Sequence, residues 1–238
     1  MKVLTRCATC IQESAGAFRS TGEQVPIVSL VGEMHDTGVV FASCPKGHKT
    51  ATLHPRRKHE ILFESGASAL QDGYAGEAVS TMSAALERCY EFFIRVACRK
   101  LGLNVSDVDR SWKLIATQSE RQLGAFVFLY QILVSETYEL PSWIPKFRNK
   151  VIHRGYMPSI DEARKYGEQL FTLMRLIMRK LNEVCSEALS REMDWIQQQQ
   201  RSAVPSGMDY MFTVTASFDM ASDQTFEAWL DDLAKMRS

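Results

Sequence analysis

Two groups of residues in this 238-residue chain have the types and spacing to do chemistry. The first is Cys7 and Cys10 in "CATC", followed about thirty residues later by Cys44 and His48 in "CPKGH". Two short knuckles that each offer two soft or borderline ligands suit tetrahedral Zn(II). A closed four-ligand set leaves no open position for water or substrate, so such a metal would fold its module and do no chemistry. The second group is Arg148, Asn149 and His153 in "KFRNKVIHRGYMP". A planar guanidinium offers two parallel bonds to phosphate oxygens, and an imidazole can take or give a proton near neutral pH. If the substrate is RNA, the nucleophile is already present as the 2′-hydroxyl, and a histidine base with an arginine clamp suffices without a catalytic metal.

The elements around the first group read as strands. "VPIVSLVG" and "GVVFASC" are β-branched runs separated by "EMHDTG", and "HKTATLH" follows. Gly47 inside the second knuckle supplies a turn geometry that a Cβ would resist. Together these predict a small β zinc ribbon. A redox reading of "CATC" lacks the βαβ pattern it would need. His48 has His35, His54 and His59 as nearby substitutes, each read as solvent-facing or part of a basic patch.

From about Pro55 strand signals give way to helical periodicity. "RRKHEILFESGASALQ" places Ile61, Leu62 and Leu70 on one face, and "DG" at Asp72–Gly73 ends it. In "GEAVSTMSAALERCYEFFIRVACRKLG" apolar residues recur at Val79, Met82, Leu86, Cys89 or Tyr90, Phe93 and Ala97, a long amphipathic helix. "SERQLGAFVFLYQILVSE" opens with capping-box spacing at Ser119 and Gln122. It is apolar nearly all round from Leu123 to Val134, so it must be covered on several sides by its own core or by a second subunit. Ser159 and Glu162 form another capping box, ahead of a stripe at Ala163, Leu170, Met174, Ile177, Leu181, Val184 and Ala188 that runs to "QQQQ". About four helices in antiparallel array follow from this. "KFRNKVIH" fills two turns before the last of them, with Pro145 as an opening residue and Gly155 as a stop. Asn149 and His153 share a face, the long Arg148 side chain can swing to the same spot, and Val151 and Ile152 point elsewhere as anchors. After Arg201, "YMFTVTASF" alternates like a strand and "DQTFEAWLDDLAKM" like a helix, with six acids against two bases from Asp209 onward.

By itself an R-x4-H spacing also describes a basic helix end with a histidine on the helix dipole. The stretch "RNKVIHRG" with Pro158 three residues later resembles the R-x4-6-H motif of the HEPN superfamily of small helical ribonucleases. "LFESGASALQDGYAGEAVSTMSAALERCYEF" looks like the first two helices of that fold. The resemblance spans roughly Pro55 to Gln200. It implies a two-fold homodimer that cuts RNA without metal in a composite cleft, as a toxin or antiviral defence effector. It implies Arg148 and His153 as the catalytic pair and Asn149 as the polar residue beside them. Glu87 sits where some relatives add a polar active-site residue. The N-terminal ribbon lies outside the HEPN pattern and resembles a recognition module for nucleic acid or protein.

The expected architecture is thus mainly α: a zinc-ribbon-like module at 1–55, a four-helix HEPN-like bundle at 56–200, and a short α/β C-terminal appendage at 201–238. Lys+Arg and Asp+Glu both count 28, so no global field advertises a polyanion, and any RNA site must be local. Lys146, Arg148, Lys150, Arg154, Arg164 and Lys165 supply such a patch against Asp161 and Glu162. No apolar signal segment or membrane span is evident, so a cytoplasmic protein without disulfides is expected. Two further readings remain open: a catalytically silent HEPN-like adaptor that binds nucleotide or RNA, and a zinc-ribbon DNA-binding regulator with a helical dimerisation domain.

Overall fold

The computed structural model of the chain describes residues 2–21, 29–54, 57–212 and 223–237. The chain divides into two compact units, Met1–Arg56 with Met193–Thr215, and Arg57–Glu192 with Ala216–Ser238. Mainly helical overall, the protein has eight helices and five strands among the described residues.

The first unit is organised by one sheet in the order β1 (Lys2–Arg6), β2 (Ser29–Met34), β3 (Val39–Ser43), β4 (Lys49–Leu53) and β5 (Asp209–Phe212). The first four strands pair antiparallel in succession and β5 joins β4 in parallel. Its hydrophobic centre is Val39, Ala51 and Leu53, joined by Phe41, Val204, Met208 and Phe212. The "GVVFASC" and "HKTATLH" strands lie where the β-branched pattern puts them. Of "VPIVSLVG", the part before Ser29 lies outside the described residues, as does "YMFTVTASF" beyond Phe212.

A stretch expected to hold only strands contains a helix, α1 (Ala8–Thr21), so the module is not an all-β ribbon. Cys7 acts as its cap: the Cys10 N–H points at Cys7 Sγ at 3.5 Å and the Ile11 N–H bonds Cys7 O at 3.0 Å. The C-terminal segment is no separate appendage either. β5 completes the sheet of the first unit, and the last helix, α8 (Phe226–Arg237), belongs to the second.

The second unit holds α2 (Lys58–Gln71), α3 (Ala75–Lys100), α4 (Val105–Lys113), α5 (Ser119–Val134), α6 (Trp143–Arg154) and α8. It also takes the part of α7 (Ile160–Ser202) before Met193. All the stripe positions expected on α3 are buried, from Val79 to Ala97. On α7 the stripe is buried from Ala163 to Ala188 except for the half-buried Val184. The Ser159–Glu162 capping box is formed: the Ser159 N–H donates to Glu162 Oε2 at 2.9 Å and the Glu162 N–H to Ser159 Oγ at 3.2 Å. The one expected at Ser119 is not. Gln122 is instead buried, where Arg88 donates to its Oε1 at 3.0 Å and its own Nε2 donates to Ala116 O at 2.6 Å. Aromatic rings fill the core, with Phe126 stacked on Tyr90 at 4.4 Å and edge-on to Phe93 and Tyr138 at 5.0 and 4.8 Å. α5 is covered on one face only: Phe126 and Tyr130 are buried, whereas Phe128 and Ile132 are 74% and 61% exposed. Among the described residues no helix is long and apolar enough to cross a membrane.

Candidate functional site

Each unit carries one of the two groups. In the first, Cys7, Cys10, Cys44 and His48 bring their ligand atoms within 4.8 Å of one another. Cys10 Sγ lies 3.8 Å from Cys44 Sγ, and His48 Nδ1 lies 3.8 Å from Cys7 Sγ and 3.4 Å from Cys10 Sγ. A tetrahedron with metal–sulfur bonds of about 2.3 Å has edges of roughly 3.8 Å, so these three separations are those a zinc-sized ion would need. The second knuckle is closed by backbone bonds, the Gly47 N–H to Cys44 O at 2.9 Å and the Cys44 N–H to His48 O at 3.0 Å. Gly47 holds φ +86°, the conformation for which glycine was expected there.

The thiols are strongly interdependent. Burial, together with the adjacent Cys7 and Cys44, pushes Cys10 up to about 12. Burial also acts to raise Cys44, but the backbone N–H groups of His48 and Lys46 and the neighbouring thiols outweigh it and hold Cys44 below its ordinary value. A cation among them would relieve that competition and let all three serve as thiolates. On the outer side of the ring, His48 Nε2 faces Glu13 Oε1 of α1 at 3.6 Å, and Lys46 Nζ holds Glu13 at 3.0 Å. This bond with Lys46 keeps the Glu13 carboxyl below its usual range. Glu13 was missed in the sequence because α1 was not foreseen; the signal was there, one helical turn beyond Cys10. All six cysteines are free thiols.

The alternative histidines fall elsewhere. His35 is exposed and meets Phe41 edge-on at 5.0 Å. His54 and His59 were expected at the surface, and both are buried, at 4% and 1% exposure. Neighbouring strand and helix residues enclose them, and a local reading of charge pattern does not see that.

In the second unit the Arg148 guanidinium is the hub. Its Nη1 donates to Asn149 Oδ1 at 3.1 Å and to His153 Nε2 at 3.2 Å, and its Nη2 donates to Glu87 Oε1 on α3 at 3.3 Å. A guanidinium only donates, so His153 Nε2 is a lone-pair acceptor here and the neutral ring carries its proton on Nδ1. The four residues expected to work together are therefore brought together. Arg148 and Glu87 are each a quarter exposed, and Asn149 and His153 lie open to solvent.

α6 is fixed at both ends. Pro145 falls in its first turn, and Gly155 ends it at φ +66° with the Tyr156 N–H on Lys150 O at 3.2 Å. Of the two expected anchors, Val151 is half-buried and Ile152 is 37% exposed. Ile144 is buried and Phe147 packs on Tyr166 at 5.4 Å. Lys150 Nζ lies 3.2 Å above the Tyr156 ring, and Lys146, Arg154 and Lys165 are exposed around it. Arg164 is engaged by Glu227 at 2.5 Å.

Beside the hub opens a cavity of about 100 Å³ between α3, α5, α6 and α7, with Glu87, Arg148 and Asn149 on its rim. Ser83 and Tyr166, at its floor, are 2.7 Å apart, and Ser83 Oγ also donates to Val79 O at 2.6 Å. Burial pushes the Tyr166 phenol up to about 12, against the positive charge of Arg148. Sequence reading had no access to this cavity, whose walls come from four separate helices.

No protein-family model matches the chain, and no curated protein or solved structure matches it either.

Proposed function

We propose that the protein is a metal-independent endoribonuclease of HEPN type, with a structural zinc ion held by Cys7, Cys10, Cys44 and His48 in a separate recognition module. The observation that carries the reading is the convergence of Asn149, His153 and Glu87 on the Arg148 guanidinium within 3.1 to 3.3 Å. In this reading a phosphodiester takes the place of His153 on Arg148 Nη1, which frees Nε2 to accept the proton of the 2′-hydroxyl. The 2′-oxygen attacks phosphorus and the bond to the 5′-oxygen breaks. The leaving oxygen takes a proton from solvent, so the products are a 2′,3′-cyclic phosphate and a 5′-hydroxyl. Arg148 spreads the charge of the pentacoordinate phosphate. Asn149 and Glu87 position the fork of Arg148, and Lys146, Lys150 and Arg154 guide the polyanion.

The order α2, α3, α5, α6, α7 supports the HEPN reading of the bundle. The exposed Phe128 and Ile132 on α5 support a homodimer, in which a second copy would cover them by an isologous contact.

The test is cleavage of total RNA by purified protein, with product ends analysed for cyclic phosphate. Arg148→Ala and His153→Ala should each lower the rate by a hundredfold or more, with the helical circular dichroism unchanged. EDTA added only during the assay should have no effect. A protein that binds RNA and leaves it intact would be the silent adaptor, and retained cleavage in either variant would overturn the mechanism.

A further inference from the structure

We infer that the cavity beside Arg148 is a base-reading pocket that selects guanine, placing the guanosine next to the phosphate held by Arg148. This rests on the ribonuclease reading for its biological meaning but not for its chemistry. The cavity has room for one flat ring system. Leu86, Leu123, Leu140 and Ile144 give it apolar walls, suited to a heterocycle and unsuited to a phosphate.

Its polar groups decide which heterocycle. Ser83 has a single proton, and that proton goes to Val79 O. The 2.7 Å contact between Ser83 Oγ and Tyr166 Oη must then use the Tyr166 proton. Both hydroxyls therefore meet a ligand only as acceptors. Glu87 spends Oε1 on Arg148, and its Oε2 meets no donor among the described residues. Glu120 on α5 receives Ser119 Oγ on Oε2 at 3.3 Å and keeps Oε1. Asn149 accepts from Arg148 through Oδ1, which leaves its amide N–H bonds, beside the remaining N–H bonds of Arg148, as the donors on the rim.

A pocket whose depth offers acceptors, and whose donors, Asn149 and Arg148, sit together at the rim, wants a ligand edge with two adjacent donors beside an acceptor. Guanine presents that set: N1–H and the 2-amino group as donors, O6 as acceptor. Adenine and cytosine each present one amino donor beside a ring acceptor, and uracil flanks its single N–H with two carbonyls that the carboxylates would repel. The acids also sort the two ends of the nucleotide. Glu87 and Glu120 keep phosphate out of the cavity, while Arg148 and the exposed Lys146 and Arg154 hold it outside.

The test measures binding of the four nucleoside 3′-monophosphates to the full-length protein by calorimetry, with inosine 3′-monophosphate as a fifth probe lacking the 2-amino group. Guanosine 3′-monophosphate should bind at least tenfold more tightly than the uridine compound, inosine should lose most of that margin, and Leu123→Trp, which fills the cavity, should abolish it. Equal affinities in the wild type, or an inosine compound as tight as guanosine, would overturn the assignment even if Leu123→Trp does not fold. Mapped cleavage sites separate the two claims. Guanine preference in binding without cleavage overturns the ribonuclease and spares the pocket; cleavage indifferent to the base overturns the pocket and spares the ribonuclease.

Discussion

The Cys7–His48 cluster and the Arg148 cluster are assembled by opposite means. The first gathers three thiols and an imidazole on two knuckles, with only a small apolar group of Cys7, Leu30 and Cys44 behind it, joined by Cys10 and Ala42. Its components repel or compete unless something positive sits among them. The second is built on long helices whose aromatic core is complete without the site, and its charges already pair among themselves through Arg148. A donor set that a cation would complete suits a structural role. One whose charges are already paired suits the proposed reversible binding of substrate.

Metal removal is the sharpest way to break that comparison. Prolonged chelation, or Cys44→Ser, should unfold the first unit, because structural zinc binding contributes on the order of 10 kcal/mol of folding energy in small modules. The helices of the second unit should persist. Elemental analysis should give one zinc per chain, and amide hydrogen exchange should show protection lost in β3 and β4 but kept in α3. Loss of protection in both units together would mean that the two sites are not independent.

The second unit has its own buried ionisable group with no counter-ion, and here the difference shows as a pH slope. His59 is 1% exposed, neither ring nitrogen finds a hydrogen-bond partner among the described residues, and its ring lies 5.4 Å from Phe92. Burial first, and then the positive charge of Arg57, hold its proton affinity well below that of an ordinary histidine. The other groups nearby are Glu60, which Arg57 engages at 2.7 Å, and the buried thiol of Cys89. Below an ordinary histidine's range near pH 6.5 the unfolded chain binds a proton that the folded one refuses. Stability is therefore complete above that range and falls as the pH drops through it, by at most about 1.4 kcal/mol per pH unit. Urea unfolding of wild type and His59→Leu at pH 7.5 and 5.5 checks this: the difference between the two proteins should change with pH, and a constant difference would refute it.

Legibility in the sequence followed the range of the interactions. The stripes of α3 and α7 and the capping box at Ser159 are set by neighbours within a few turns, so periodicity found them. The C-x-x-C and C-x3-H knuckles are equally local. α1 escaped because it carries only Ile11 and Phe18 as large apolar residues, and Phe18 is 56% exposed, leaving no stripe to read. α4 escaped because it is short, and its signals were an Asn104 cap, whose Oδ1 accepts the Ser106 N–H at 2.9 Å, and one buried Trp112. Arg148 and His153 could be paired from helical spacing, but the ion pair of Arg148 with Glu87 joins residues 61 positions apart, and no local pattern carries it. The buried His59 and the cavity floor at Ser83 and Tyr166 were hidden for the same reason: tertiary packing, not sequence proximity, decides what they touch.

The smallest effect concerns how firmly the second site is held. Glu162 accepts the Tyr156 hydroxyl at 2.8 Å and the Ser159 N–H at 2.9 Å, so one carboxylate ties the loop after α6 to the first turn of α7. The Ser159 N–H first, and then Tyr156, keep that carboxyl below its usual range. Tyr156 in turn carries Lys150 on its ring, one turn from His153. Ser159→Ala removes the acceptor of the Glu162 N–H and should cost about 1 kcal/mol of stability, with the proposed RNA cleavage unchanged because the Glu162 tie survives. Tyr156→Phe removes the hydroxyl tie and keeps the ring under Lys150. If α6 is positioned by that tie, Tyr156→Phe should slow cleavage several-fold at constant KM while Ser159→Ala does not. Equal and small effects of both on the rate would mean that the helix core alone orients His153, which is the stronger form of the contrast with the Cys7–His48 cluster.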